Sequence, residues 1–159
     1  MLKRIIGQDT QGVSPSEHHW LNVEALAQVE VTSEDAAHPI ESGLLPGPRT
    51  ASGWRAAHPG PQTVRLVFDQ PQRIKHIYLE FREDELARTQ QFVLRWSSNR
   101  GQSYGEIVRQ QYNFSPPATT RECEDYSVDL DGVTTLELSI VPEISGGPAR
   151  ASLAQLRVA

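Results

Sequence analysis

Apolar and polar side chains alternate with a period of two through the middle of the chain, and this alternation limits the folds that the chain can adopt. The stretches TVRLVFDQP and IKHIYLEF, residues 63–71 and 74–81, carry apolar side chains at alternate positions. QFVLRWS, YSVDL, TLELSI and SLAQLRV continue the pattern in shorter runs. Because successive side chains of a strand point to opposite faces, the pattern predicts strands with one face toward a core. The predicted inward residues of the first three stretches are Val64, Leu66, Phe68, Ile77, Leu79, Phe81, Phe92, Leu94 and Trp96.

The segments between these runs have the composition of turns. DQPQ, SNRGQS, NFSPP, DLDG and ISGGP are rich in Gly, Pro, Asn, Asp and Ser, residues that favour turn conformations. Short strands joined by such turns predict an all-β sandwich or barrel rather than alternating strands and helices.

Two segments fit this pattern less well. Residues 18–31, HHWLNVEALAQVEV, fit a short helix that leads into a strand, in which Val29 and Val31 alternate with polar residues. Residues 38–62 contain five Pro and four Gly and predict a long loop. Long loops in compact domains often carry function.

Length and charge narrow the class of protein. A chain of 159 residues suits one domain, which we place at 21–159, after an N-terminal arm at 1–20 that we expect to be flexible. The single cysteine, Cys123, allows no internal disulfide, and no apolar run long enough for an export signal or a membrane span is visible. We therefore expect a cytoplasmic protein without membrane contact. The net charge of -5 argues against non-specific binding of nucleic acid.

The sequence GQSYG, residues 101–105, matches the G-x-S-x-G pattern of serine hydrolases. A nucleophile elbow needs a buried parallel strand before the serine and a helix after it, with the catalytic histidine later in the chain. All five histidines precede Ser103, and a strand-like run ended by two prolines follows it. The context predicts a hairpin in which Gly101 supplies a positive φ. We predict that Ser103 is not a nucleophile and that the chain has no catalytic residues.

No other motif predicts chemistry. His18 and His19 are adjacent and would point apart, and no His/Cys cluster has the spacing of a zinc site. No glycine-rich loop has the form that cradles phosphates. The acidic run FREDEL is most simply a solvated loop. We predict neither a cofactor nor a metal site.

From about Val29 to Val158 the sequence resembles the discoidin family, also called coagulation factor five/eight type C modules. The resemblance rests on SEDAAHPIESGLLPG, on Trp54 in TASGWRAA, on QTVRLVFDQPQRIKHIYLEF, on FVLRWSSNRGQSY and on GGPARASLAQLRV. It implies an antiparallel jelly-roll β-sandwich of the galactose-binding-domain-like kind, with Trp54 and Tyr104 as packing residues. GWRAAHPGPQTVRLVF is also similar to the N-terminal domain of the X-ray repair scaffold protein of single-strand-break repair, which has the same fold.

The resemblance has two consequences for function. Calcium-binding members supply carboxylates where this chain has ESGL and Gln155, so no calcium site of that type is expected. Ligands of the family meet loops at one end of the sandwich, which here are residues 33–38, 49–58 and 81–92. The implied ligand is a carbohydrate or glycoconjugate, and a protein partner is the alternative, as in a scaffold domain. The ligand-binding residues predicted from these loops are His38, Arg49, Arg55, His58, Arg82 and Arg88.

Overall fold

A computed structural model describes residues 19–46 and 53–159. Most of the predicted N-terminal arm, and the predicted ligand residue Arg49, lie outside the described residues. None of the described helices is long and apolar enough to cross a membrane. The elements are α1 (Val23–Leu26), β1 (Ala27–Val31), α2 (Glu41–Leu44), β2 (Trp54–Pro59), β3 (Gln62–Arg82), β4 (Arg88–Ser97), β5 (Gly105–Phe114), β6 (Arg121–Val141), β7 (Arg150–Leu153) and β8 (Gln155–Val158).

The two 21-residue strands β3 and β6 organise the whole molecule. They pair with each other in antiparallel fashion over most of their length, in a sheet of order β1-β3-β6-β4-β5. Their register shifts between Val67 and His76, and such irregularities let a strand bend. Beyond the bend, β8 takes the place beside β3. The sheet therefore folds over onto itself, and its two halves form the two layers of a sandwich.

The core lies between these layers and follows the alternation of the sequence. The predicted inward residues of β3 have at most 1% of their surface exposed, and Phe92 and Leu94 of β4 are buried with them, whereas Trp96 is only partly buried. The C-terminal run SLAQLRV is divided between two strands, β7 and β8. Leu153, Leu156 and Val158 all reach the core because the chain breaks between β7 and β8 at Ala154. The prediction of an all-β sandwich is confirmed.

The predictions for residues 18–31 and for residues 38–62 have different outcomes. The short helix leading into a strand is confirmed by α1 and β1. The prediction of a loop over the whole of residues 38–62 is wrong, because α2 and β2 form within it. β2 is a strand because β7 pairs with it from far along the chain, with Trp54 opposite Leu153. Amino-acid composition reflects local conformational preference and does not indicate that β7 pairs with this segment.

The Gly101–Gly105 segment is a hairpin turn between the antiparallel strands β4 and β5. The Asn99 side chain holds the turn, because its Oδ1 accepts from the backbone N–H of Ser103 at 3.0 Å and its Nδ2 donates to Ser103 Oγ at 2.8 Å. Gly101 has a φ of 83°. The predicted hairpin is confirmed, and the strand–turn–strand context differs from the strand–turn–helix of a nucleophile elbow.

Candidate functional site

Strand pairing gathers one set of segments at a single end of the sandwich, which we call the loop end. It comprises residues 33–39, 83–87, 115–120 and 142–149. The segments 83–87 and 115–120 are joined there, because the strand residues that flank them are paired and Glu83 N–H donates to Thr120 O at 2.8 Å. The backbone N–H of Ile144 donates to Thr89 O at 3.0 Å and holds segment 142–149 against the start of β4.

At the edge of this end lie four arginines that we call the arginine strip: Arg55, Arg82, Arg121 and Arg150. They come from four different strands, β2, β3, β6 and β7, and all four are exposed. Contacts between the strands put these four arginines side by side.

The first contacts connect β2 to the segment after β1. The backbone N–H of Asp35 donates to Arg55 O at 2.8 Å, and the backbone N–H of Arg55 donates to His38 O at 3.1 Å. The side chains of Asp35 and His38 form a pair of their own, with 3.0 Å between Oδ2 and Nδ1. The hydrogen bond from His38 lowers the pKa of Asp35, as do the backbone N–H of Ala37 and the positive charge of Arg150. Asp35 is therefore a carboxylate beside the strip.

The next contacts connect β2 through β7 to the end of β3. Arg55 pairs with Ser152, so their side chains share a face. Arg150 lies two residues before Ser152 and has the same orientation along the strand. Ser152 Oγ is 3.4 Å from Arg82 O. The outward faces of β2, β7 and the last residue of β3 are thus neighbours.

The last contacts connect β3 to β6 through Glu80. Arg82 pairs with Arg121 across the strands, and two guanidinium groups side by side would repel without an anion between them. Glu80 is that anion, with 2.6 Å from its Oε1 to Arg121 Nη2 and 3.4 Å from its Oε2 to Arg82 Nε. Burial alone would raise the pKa of Glu80, but the hydrogen bond from Arg121 and the charges of both arginines outweigh it and lower the pKa.

The strip rests on a buried tryptophan. Trp54 has 0% of its surface exposed, and its indole N–H donates to Ser33 O at 3.0 Å. The prediction that Trp54 is a packing residue is confirmed, and Tyr104 packs over Gly101 in the hairpin at the opposite end. The segments of the loop end contain no Phe, Tyr or Trp.

The structure brings some of the predicted ligand residues together and separates another from them. Arg55 and Arg82 belong to the arginine strip, and His38 flanks it. His58 is exposed on β2, three residues beyond Arg55. The role of these residues in binding stays a prediction.

Arg88 has a different position, because its side chain is turned into the molecule and is 1% exposed. Its Nε donates to Glu83 Oε1 at 2.7 Å and its Nη1 donates to Pro142 O at 2.9 Å. The guanidinium group also lies over the Phe114 ring, 4.7 Å from its centroid. These contacts join two loop-end segments to the end of β5, so we leave Arg88 out of the candidate site.

Sequence reasoning missed Arg121, Arg150 and Glu80. Arg121 and Arg150 each start a strand directly after a turn rich in Pro or Gly, in PPATTRE and SGGPARA. That position at a strand end is the only local signal, and it does not indicate which other strand ends are adjacent. Among the residues that the structure describes, no three His, Cys, Asp or Glu side chains are grouped as metal ligands would be.

Comparison with known proteins shows the fold. No family model and no curated protein matches the sequence. The family 32 carbohydrate-binding module of NanJ from C. perfringens, solved with galactose, is 14% identical with a TM-score of 0.62, over 83% of this chain and 92% of that module. The Clostridium perfringens module CpGH89CBM32-5, solved with GalNAc-β-1,3-galactose, is 17% identical with a TM-score of 0.63, over 88% and 99%.

A third similar structure is the CBM32 module of AlyQ, solved with 4,5-unsaturated mannuronic acid. It is 14% identical, with a TM-score of 0.62 over 89% of this chain and 98% of that one. At these identities the similarity concerns the fold alone. It confirms the predicted galactose-binding-domain-like jelly roll.

Proposed function

We propose that this chain is a non-enzymatic carbohydrate-binding module that binds its ligand at the arginine strip. The observation that carries the proposal is the strip itself, a row of planar hydrogen-bond donors held by β-strands at the loop end of a jelly roll. The similar structures bound to galactose, to GalNAc-β-1,3-galactose and to 4,5-unsaturated mannuronic acid support carbohydrate as the ligand class.

The chemistry of the strip favours binding over catalysis. A guanidinium group stays protonated at any physiological pH, so it donates hydrogen bonds but does not accept a proton or attack a substrate. Two of the four donors, Arg121 and Arg82, are fixed because both contact the carboxylate of Glu80. Fixed donors lose little conformational freedom when a ligand binds, which favours affinity.

Binding is expected to raise the stability of the domain and to depend on the strip. A saccharide at about 100 times its dissociation constant should add about 2.7 kcal/mol to the free energy of unfolding. Arg55→Ala and Arg82→Ala should each weaken binding by about fivefold or more, because each removes a charged donor. Isothermal titration calorimetry against galactose, N-acetylgalactosamine and galacturonate oligomers measures the affinities.

Arg73→Ala is the matched control. Arg73 is equally exposed and pairs with Asp129 at 2.9 Å, but it lies where β3 bends, away from the loop end. Its replacement should leave the affinity unchanged. Equal affinities in all three variants would show that a ligand binds elsewhere, and the absence of binding to any saccharide would contradict the proposal.

A protein partner is the second candidate, and one observation favours it. Leu86 and Ile144 are the exposed large hydrophobic side chains of the described residues, with 43% and 51% of their surface exposed. Both lie on segments of the loop end, and the backbone N–H of Ile144 donates to the carbonyl of Thr89, three residues after Leu86. If this pair forms a protein interface, Leu86→Ser with Ile144→Ser should abolish capture of the partner and leave saccharide binding intact.

A further inference from the structure

We infer that the ligand of the arginine strip is an acidic saccharide, one whose sugar ring carries a carboxylate. This inference rests on the proposed function and specifies the class of sugar. Its premises are the local charge, the unoccupied donors and the kind of contact that the loop end offers.

The strip is positively charged, although its surroundings are negative. The loop-end segments next to it carry the carboxylates of Glu34, Glu83, Asp84, Glu85 and Glu143. The strip sets four guanidinium groups against the carboxylates of Asp35 and Glu80, in a chain whose net charge is -5. The lowered pKa values of both carboxyls keep them ionised at neutral pH, so within the strip four positive charges face two negative ones. Asp84 and Glu85 follow Arg82 in the neighbouring loop, and their carboxylates limit the positive region on that side.

The donors of the strip differ in what they already bind. Arg121 and Arg82 are engaged with Glu80, which they keep ionised in a largely buried position. Arg55 and Arg150 are exposed, and no hydrogen bond joins their guanidinium groups to a described residue. They lie on one face of the β2–β7 pair, Arg55 opposite Ser152 and Arg150 two residues before it on β7. A guanidinium group matches the two oxygens of a carboxylate with two parallel N–H donors, so this pair of arginines is suited to a planar anion.

The loop end also differs from the usual binding site of a neutral sugar in the contacts that it offers. A neutral sugar is commonly held by hydrogen bonds together with an aromatic face under its ring, and rings give contact area at little entropic cost. The loop-end segments contain no aromatic residue, and Trp54 is buried beneath the strip with its indole N–H already bonded. Tyr112 of β5 is half-buried and donates its hydroxyl to Arg121 O at 2.9 Å. The main contacts that the strip offers are therefore hydrogen bonds and charge, and a neutral sugar uses only the hydrogen bonds, whereas a carboxylated sugar uses both.

The test compares two probes that share a sugar skeleton and differ at the carboxyl group, which is charged in one and methyl-esterified in the other. Oligogalacturonate and its fully methyl-esterified form share the same rings and linkages, but esterification removes the negative charges. We expect the acid form to bind at least about tenfold more tightly at 0.05 M NaCl. In 1 M NaCl, where the screening length falls to about 3 Å, the two affinities should converge.

Variants test whether Arg55 and Arg150 cause the difference in affinity between the acid form and the ester. Arg55→Gln combined with Arg150→Gln should weaken binding of the acid form far more than binding of the ester, so that the difference in affinity between the two probes disappears. Arg73→Gln, at the bend of β3, should preserve the difference. Circular dichroism and the unfolding temperature check that each variant is folded.

The outcomes separate the inference from the function on which it rests. If galactose or the methyl ester binds as tightly as the acid form, the inference is wrong and the proposed function stands. If the acid form binds more tightly but the double variant binds it as well as the wild type does, the charge is recognised elsewhere and the assignment to the strip is wrong. If no saccharide of either kind binds, the proposed function itself fails.

Discussion

The domain is expected to lose stability as the pH rises from about 5 to 8, and replacement of Glu122 by glutamine should abolish this loss. Glu122 lies on β6 with its side chain turned between the layers, and 1% of its surface is exposed. Its Oε1 accepts from Gln90 Nε2 at 3.2 Å. Burial, together with the neighbouring carboxyl of Glu124, raises the pKa of Glu122 to about 8.

The free energy of unfolding falls with rising pH because the folded protein holds a proton on Glu122 that the unfolded chain loses. In an unfolded chain the pKa of this carboxyl is near 4.5. Between that pH and about 8, the folded protein keeps a proton that the unfolded chain has lost, so the free energy of unfolding falls as the pH rises. The contribution is complete below pH 4.5 and is gone above about 8. Its size is on the order of 5 kcal/mol.

Urea unfolding at pH 5, 6.5, 8 and 9 measures the effect. Glu122→Gln keeps the shape of the protonated acid and cannot ionise, so its stability should vary little over this range and exceed that of the wild type at pH 9. Glu106→Gln is the control, because Glu106 is exposed on β5 and pairs with Arg109; it should retain the slope of the wild type. A Glu122→Gln variant with the same slope as the wild type would contradict the buried, protonated state.

Replacement of Gly53 by alanine is expected to destabilise the domain by at least about 3 kcal/mol. Gly53 has a φ of 73°, a conformation that residues with a Cβ adopt at a cost of about 1–2 kcal/mol. An added Cβ would also overlap the carbonyl oxygen of Leu153 and lie 2.7 Å from Ala154 Cα. Both of these atoms belong to backbone that cannot move without separating β2 from β7.

Gly132→Ala separates the cost of the positive φ from the cost of the steric overlap. Gly132 has a similar φ of 68°, but nothing lies within 4 Å of an added Cβ, so this variant should lose only the conformational part. Chemical denaturation of both variants gives the comparison. If Gly53→Ala costs no more than Gly132→Ala, the close approach of β2 to β7 is absent in solution. If the approach is real, Gly53→Ala should also lose ligand binding, because β2 and β7 carry Arg55 and Arg150.

The faces of the strands could be predicted from the sequence, whereas the composition of the site could only partly be predicted. Two of the strip's arginines, Arg55 and Arg82, were among the predicted ligand residues because they lie in or beside loops that the family resemblance places at one end. Arg88 was included for the same reason, yet it lies over Phe114 in the interior. A guanidinium group in a loop and one turned into the core look the same in a sequence, since the difference depends on neighbours that are distant in the chain.

The sequence by itself determined which side of each strand meets the core and where the chain turns. Both follow from interactions between residues a few positions apart, such as the alternation along β3 and the Asn99–Ser103 contacts in the hairpin. Only the tertiary structure decided that β2 is a strand, that Arg121 lies beside Arg82, and that Arg55 and Arg150 share a face. Those facts depend on pairing between segments far apart in the chain, whose register is set by burial on both partners at once and is not encoded in either segment alone.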